Sequence, residues 1–471
     1  MKRKIGVIVV LVVLFVGSPV LAGVKSFFDV DNKTISSGLV AACKYEYDIV
    51  IIAPEKFTQE IQPLVDHKNN HGVQTIVKTT EDIYSAYEGR DDAEKVKYFI
   101  KDALEQWNIT YVLLVGGKKG QSFEWYVPVR YSNLDDGFSR YTMFISDLYF
   151  ADIYRGENEF EDWDSDGDGV FAEWIGFTNK DVLDLVPDVY VGRLPCRNEI
   201  EVSTIVDKII GYENNVYGEL WFKKMVVAGG DTFPAFEGPE GELTCDRAAG
   251  YMKDFQITKL YATEGTLTGP EDVINAINEG CGFFFTRAKG GTDRIRIVTT
   301  DETEFVMLHN RHLTKLKNMD AHPICFLGEC FHGKFDVCIL NFIKLLLKDP
   351  NYHAVETNSD VIFECIAWQL VRQKGGGAIA TVSNTNLCFG SGGDTNNNGI
   401  NDDSEGYGGW LAVEFCKLYR EEGLQTLGEI YGTSIKNYID LFPVRTNKIH
   451  YKSVEEYILI GDPSLKIGGY P

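Results

Sequence analysis

A chain of 471 residues, 44% hydrophobic and 13% aromatic, has ample apolar surface to bury, which excludes a disordered protein and predicts one large α/β unit or two subdomains. Its formal net charge of -23 repels phosphate backbones and anionic membranes, so nucleic acid is excluded as a partner, while calcium and cationic substrates suit it. Ten cysteines with no CxxC pair and no regular spacing exclude a disulfide scaffold and give no support to a zinc or redox site.

The opening "MKRKIGVIVVLVVLFVGSPVLAG" has a basic start, an apolar run and small residues near Ala22, the layout of a secretory signal over residues 1–22. The mature chain then works outside the cytoplasm, secreted or at the cell surface, and losing Lys2, Arg3 and Lys4 takes its charge to -26. The competing reading is an uncleaved N-terminal anchor, since the apolar run approaches the length that spans a bilayer. No other segment is apolar enough to span.

Residues 23–46 read as a short irregular segment. "YDIVIIAP", Tyr47 to Pro54, is a continuous apolar run stopped by proline, as expected of a strand covered on both faces. "GVQTIVKTT" follows as a strand. Asp91 and Asp92 then precede a helix in which Val96, Phe99, Ile100, Ala103, Leu104 and Trp107 recur at helical spacing. "YVLLVGG" is another buried strand, and this alternation predicts a parallel sheet.

A second series runs through the strands "DVYVGRLP", "KKMVVAGG", "CGFFFTRAKGG", "HPICFLGEC" and "GGGAIATVSN". Helices are predicted at "EIEVSTIVDKIIGYE", "PEDVINAINEG", near "SDVIFECIAWQLVRQ" and at "GWLAVEFCKLYREE". The units are too uneven for a closed barrel, so the expected architecture is two consecutive subdomains, residues 47–145 and 146–471.

Two loops carry acids at metal-ligand spacing. In "DSDGDGVFAEWI", Asp164, Asp166 and Asp168 alternate ahead of Gly169, and the Val170 carbonyl supplies a further oxygen. The twelfth position is Ile175, so the terminal glutamate of a complete loop is missing, and Glu173 is the substitute at hand. In "DTNNNGINDDSE" the set is complete: Asp394, Asn396, Asn398, the Ile400 carbonyl, Asp402 and Glu405. Structural calcium is the expectation for both, against the alternative of solvated acidic turns.

"HPICFLGEC" places Cys330 at the C-terminal end of a buried strand, where open α/β sheets put reacting groups, and a thiolate there is a good nucleophile. The alternative is an inert core thiol, the usual fate of a buried cysteine. Strand, spacer, then a strand ending in a small residue and Cys is an order that resembles the gingipain, caspase and legumain group of cysteine peptidases. The chain is similar to the gingipain family in particular. "YDIVIIAP", "YVLLVGG", "DWDSDGDG", "PDVYVGRLP", "GECFHGKFD", "GGGAIATVSN" and the closing "EYILIGDPSLKIGG" look like family blocks in family order. The resemblance implies a caspase-like α/β/α sandwich of mostly parallel sheets, stabilised by calcium, with endopeptidase activity on peptide or protein substrates and Cys330 as nucleophile.

The same resemblance puts Lys289, in "FFFTRAKGG", where family members present the histidine of Gly-His-Gly. An imidazole can take a proton near neutral pH and return it. A lysine amine ordinarily holds its proton there, which makes it a cation able to favour a thiolate but a poor proton carrier. An inactive homologue that binds peptides or proteins through the same cleft is therefore the second reading. His332 is two residues past Cys330 but reads as a loop residue; His322 and His312 precede it, with His322 at the far end of its strand, and His71-Gly72 sits in a turn of the first subdomain. In this family an acid beneath the bound side chain selects arginine or lysine, and Asp184 falls about where the resemblance puts it, with Asp188 as the competing choice.

Overall fold

The computed structural model describes residues 46–138, 141–156, 158–176, 179–338, 340 and 362–471. The expected signal at 1–22, and all but the last residue of segment 23–46, lie outside them. Among the described residues no helix is long and apolar enough to cross a membrane.

The first series gives β1 (Ile49–Ala53), β2 (Thr75–Thr79) and β3 (Tyr111–Val115), separated by helices α1 (Thr58–Asn70), α2 (Thr80–Ala86) and α3 (Asp92–Trp107). Every residue of β1 and β3 is buried, as their unbroken apolar runs require of strands covered on both faces. Asp91 caps α3, its side chain accepting from the Glu94 N–H, and Asn108 closes the helix in the left-handed region. Six short strands follow: β4 (Tyr131–Leu134), β5 (Met143–Ile145), β6 (Tyr154–Arg155), β7 (Glu159–Phe160), β8 (Glu173–Ile175) and β9 (Asn179–Lys180). They pair among themselves in two small sheets.

The second series contains β10 (Tyr190–Leu194), α4 (Glu199–Asn215), β11 (Lys224–Gly229), α5 (Glu240–Tyr251), β12 (Gln256–Tyr261), α6 (Pro270–Asn278) and β13 (Phe283–Arg287). A three-stranded antiparallel sheet, β14 (Lys289–Gly291), β15 (Arg294–Val298) and β16 (Glu304–His309), leads to β17 (Ile324–Leu327). The chain closes with β18 (Ala380–Asn384), the helices Tyr407–Lys417, Leu427–Leu441 and Lys448–Glu455, and β19 (Tyr457–Ile460). The helix expected near "SDVIFECIAWQLVRQ" starts only at Ile366. Just before it, the Glu364 carboxylate lies 3.1 Å from the Arg197 guanidinium, and residues 359–361 of that stretch lie outside the described residues.

Ten strands join in one sheet, ordered β12-β11-β13-β17-β18-β19-β10-β3-β1-β2. All neighbours are parallel except β18 and β19. That one reversal sets the geography: the strands from β12 to β18 run one way and those from β19 to β2 the other. The four-stranded and six-stranded halves meet at a single register pair, Arg193 with Ile460. The pairing puts β10 in the half that contains β1 and β3.

The seam depends on close backbone approach. A Cβ on Gly192 would lie 2.4 Å from the Gly461 carbonyl oxygen and 2.9 Å from the Pro463 ring. Gly192→Ala should therefore cost about 1–3 kcal/mol by overpacking. The check is the denaturant midpoint at constant slope, and an unchanged midpoint would mean that the halves are not seated this closely.

Candidate active site

β13 and β17 are parallel neighbours, Phe283 opposite Ile324 and Thr286 opposite Leu327, so their C-terminal ends lie side by side on one edge. The backbones that follow them touch. A Cβ on Gly290 would fall 2.2 Å from the Cys330 carbonyl oxygen and 2.5 Å from its nitrogen, so only glycine fits between the turn carrying Lys289 and the residue at the nucleophile position.

Cys330 reaches solvent in part, yet the protein packed around its thiol is dense enough for burial to push it up to about 11, with the Glu456 carboxylate adding to the shift. Its Sγ donates to the Cys388 carbonyl at 3.5 Å. The next residue, Phe331, stands at φ 64, an uncommon conformation for a bulky side chain. It is held there by its N–H on the Asn386 carbonyl, 2.8 Å, and by the Tyr141 ring, 5.5 Å away edge-on.

Lys289 opens β14, paired with Arg296 of β15. Its amine lies 3.4 Å from Glu304 Oε1 and is 40% exposed. Arg296 Nη1 shares the same carboxylate at 3.0 Å. The side chain thus lies along the hairpin, drawn by a carboxylate fifteen residues further on.

The histidines near Cys330 have other partners. His332 is fully buried; its Nδ1 lies 3.1 Å from Glu329 Oε2 and its Nε2 is 3.1 Å from the Arg294 carbonyl. Glu329 in turn accepts from Thr286 Oγ1 at 2.6 Å. His322, at the opposite end of β17, faces the Gly377 carbonyl, and burial pushes it down to about 3. His71 stacks on Tyr470.

Arg287, at the end of β13, holds the rest of the edge together. Its Nε donates to Asp403 Oδ2 at 2.7 Å and its Nη2 to Asp403 Oδ1; Nη1 bonds the Gly328 carbonyl and lies 3.8 Å from Cys388 Sγ, and Nη2 is 3.4 Å from the Phe389 carbonyl. Both members of the ion pair are buried. Sequence reasoning passed over Arg287, Cys388 and Asp403. The available signal was a charged residue ending an all-buried strand, which must find a partner.

Asp184 precedes β10, which starts at the edge where β17 ends. Its carboxylate accepts from the amides of Gly156, 3.2 Å, and Val186, 3.0 Å, and its carbonyl from Arg445 Nη2 at 3.5 Å. Asp188 likewise takes the amides of Ile153 and Tyr154.

In the first acidic loop, Asp164, Asp166 and Asp168 each offer an oxygen, all within 4.8 Å of one another. Asp164 is 3% exposed and its Oδ1 is a buried acceptor with no hydrogen bond, while its Oδ2 takes the Gly169 N–H at 3.1 Å and the Arg90 guanidinium. Val170 follows, its N–H on Asp168 Oδ1 at 2.7 Å. The second loop repeats the pattern, Asp394 Oδ2 accepting from the Gly399 N–H at 2.8 Å. Glu405 folds back over the loop, its oxygens 2.9 Å from Asn396 Nδ2 and 2.7 Å from Asn398 Nδ2. The Asn396 and Asn398 Oδ1 atoms accept from the Asn398 and Ile400 N–H groups, which fixes both amides this way round, and Asp402 accepts from the Thr395 N–H. In the first loop three hard oxygens thus come together, the donor chemistry that suits calcium; the second loop offers the same kind of oxygens along its turn.

The chain matches the family model for peptidase family C25 over residues 44–468. It belongs to that family. It is 24% identical to gingipain R2 of Porphyromonas gingivalis over 307 residues, 64% of this chain and 34% of that protein. To gingipain R1 of the same organism it is 24% identical over 307 residues, 64% of this chain and 25% of the relative. The matched stretch is thus about a third or less of these relatives' length. The crystal structure of the Arg specific cysteine proteinase gingipain R superimposes with a TM-score of 0.61 at 19% identity, covering 92% of this chain and 80% of that one. A complex of the pro- and mature domains of RgpB from Porphyromonas gingivalis gives 0.61 at 20% identity, covering 89% and 79%. The fold is the caspase-like, mostly parallel α/β sandwich of these proteins.

The raised thiol has a direct consequence. Below about 11 the thiolate fraction of Cys330 should climb about tenfold per pH unit, so its alkylation by iodoacetamide, followed by peptide mass, should keep rising from pH 7 to 10. A plateau near pH 8.5 would show a thiol no different from one in solvent.

Proposed function

We propose that this chain is an extracytoplasmic gingipain-type cysteine peptidase homologue that binds peptides or proteins at the edge carrying Cys330, and whose hydrolytic step is deficient because Lys289 stands at the base position. Peptide hydrolysis here requires Cys330 to lose its proton, attack the scissile carbonyl to give an acyl-enzyme, and see a proton delivered to the leaving amine. One observation carries the reading: the Lys289 amine lies 3.4 Å from Glu304, while the Cys330 thiol donates to a backbone carbonyl, so among the described residues neither group is bonded to an imidazole. The dominant role is then recognition, with turnover slow or absent. An N-terminal signal and a surface strongly negative in charge support work outside the cell.

The reading also gives calcium a structural role. Asp164, Asp166, Asp168 and the Val170 carbonyl hold one ion, and Asp394, Asn396, Asn398, the Ile400 carbonyl, Asp402 and Glu405 the other. Calcium supplies charge neutralisation and pins two long loops. The buried, unbonded Asp164 Oδ1 is the acceptor that such an ion satisfies.

Two experiments test this. Arginine- and lysine-ended chromogenic peptides are offered with calcium and a reductant: Lys289→His should exceed the unaltered chain by about a hundredfold or more, and Cys330→Ala should abolish whatever activity remains. Fast turnover by the unaltered chain sinks the deficiency; an inert Lys289→His, with a thiol that iodoacetamide ignores even at pH 10, sinks the site. Separately, calcium at a hundred times its dissociation constant should stabilise the fold by about 2.7 kcal/mol per site, seen as a melting temperature that drops in chelator. Glu405→Gln should lose part of that response, and equal melting with calcium and chelator removes the ion from the account.

A further inference from the structure

Nine cysteines fall in the described residues; seven are buried, and two, Cys330 and Cys388, reach solvent in part. These two sit together. Cys330 Sγ donates to the Cys388 carbonyl at 3.5 Å, and Cys388 Sγ donates to the Gly328 carbonyl at 3.6 Å, so each thiol leans on the other's segment. The segments are continuations of β17 and β18, parallel neighbours in the sheet. Past the strand ends they stay bonded, Phe331 N–H to the Asn386 carbonyl at 2.8 Å and Gly333 N–H to the Asn384 carbonyl at 2.9 Å. Burial pushes the Cys388 thiol up, and the Cys330 group, acting through space, adds to that shift, as a neighbouring sulfur does.

We propose that Cys330 and Cys388 form a reversible disulfide, made by exchange with a small-molecule disulfide, that caps the thiol at the nucleophile position in an oxidising medium. Arg287 Nη1, 3.8 Å from Cys388 Sγ, partly offsets the burial that disfavours ionisation there, so the Cys388 thiolate can attack. That thiolate attacks one sulfur of the small disulfide, forming a mixed disulfide and expelling one thiolate, which takes up the proton Cys388 lost. Cys330, deprotonated in turn, attacks the Cys388 sulfur of the mixed disulfide; the S–S bond to the small molecule breaks and the second small thiol leaves with the Cys330 proton. The protein loses two hydrogens and the oxidant becomes two thiols. Burial disfavours both thiolates, which slows the exchange. The reduced pair also gains little from ionisation, so the disulfide resists reduction once made. Its consequence for function rests on Cys330 being the nucleophile position; the crosslink itself does not.

The test incubates the full chain with oxidised and reduced glutathione at graded ratios, quenches in acid, alkylates and maps peptides by mass. The expected result is a linked Cys330–Cys388 peptide, an intact mass about 2 Da lower, and alkylation of Cys330 reduced about tenfold and restored by dithiothreitol. In Cys388→Ser, Cys330 should instead carry glutathione as a mixed disulfide. Absence of the linked peptide in excess oxidised glutathione, or linkage of Cys330 to a different cysteine, overturns the proposal. The readout is mass, not turnover, so an inactive Lys289→His variant with the crosslink intact would count against the peptidase reading alone, and the converse against this one alone.

Discussion

The buried ion pair between Arg287 and Asp403 is the interaction on which this molecule's working edge depends. A charged residue at the end of an all-buried strand has one tolerable outcome, a desolvated partner with every donor used. Arg287 meets that demand by gathering the Gly328 and Phe389 carbonyls, the Cys388 thiol and Asp403 around one guanidinium. Asp403 also accepts from Thr244 Oγ1 at 2.8 Å. One side chain thereby ties together the ends of β13, β17 and β18, helix α5 and the exit of the second acidic loop. Such a pair adds little net stability, but it fixes which segments meet.

The location of the edge follows from the single antiparallel pairing, β18 with β19. Without that reversal the C-terminal ends of all ten strands would share one side. With it, only β12, β11, β13, β17 and β18 end on that side, joined by segments before β10 and by the loop around β4 and β5. Asn386 Nδ2, for example, donates to the Tyr141 carbonyl at 2.9 Å. Two glycines make the close contacts possible: Gly192 at the seam between the half-sheets and Gly290 against Cys330.

The chemistry available at that edge is that of a restrained thiol. Burial disfavours the Cys330 thiolate, its hydrogen bond goes to a carbonyl, and the Lys289 amine is committed to a hairpin carboxylate. The Glu329–His332 pair beneath it is closed on itself, bonded to Thr286 and to the Arg294 carbonyl. A neighbouring second thiol gives the same sulfur a different covalent fate.

What the sequence by itself determined was the set of inner strands and the order of the site. β1, β3, β13 and β17 were legible because a strand covered on both faces has no choice but a continuous apolar run, and the tip residues Lys289 and Cys330 followed from where those runs stop. The edge strand β12 was not legible: "QITKLY" leaves its first four residues wholly or partly exposed, so no pattern is imposed on it. The β14–β16 sheet was missed because its strands mix exposed and part-exposed residues with buried ones and so impose no continuous apolar run. Which way the Lys289 amine turns was decided by Glu304, and which cysteine stands beside Cys330 by a residue fifty-eight positions later. Those outcomes needed the tertiary structure, because local sequence encodes burial and turns, whereas the pairing of charges and thiols depends on which strand ends the sheet brings side by side.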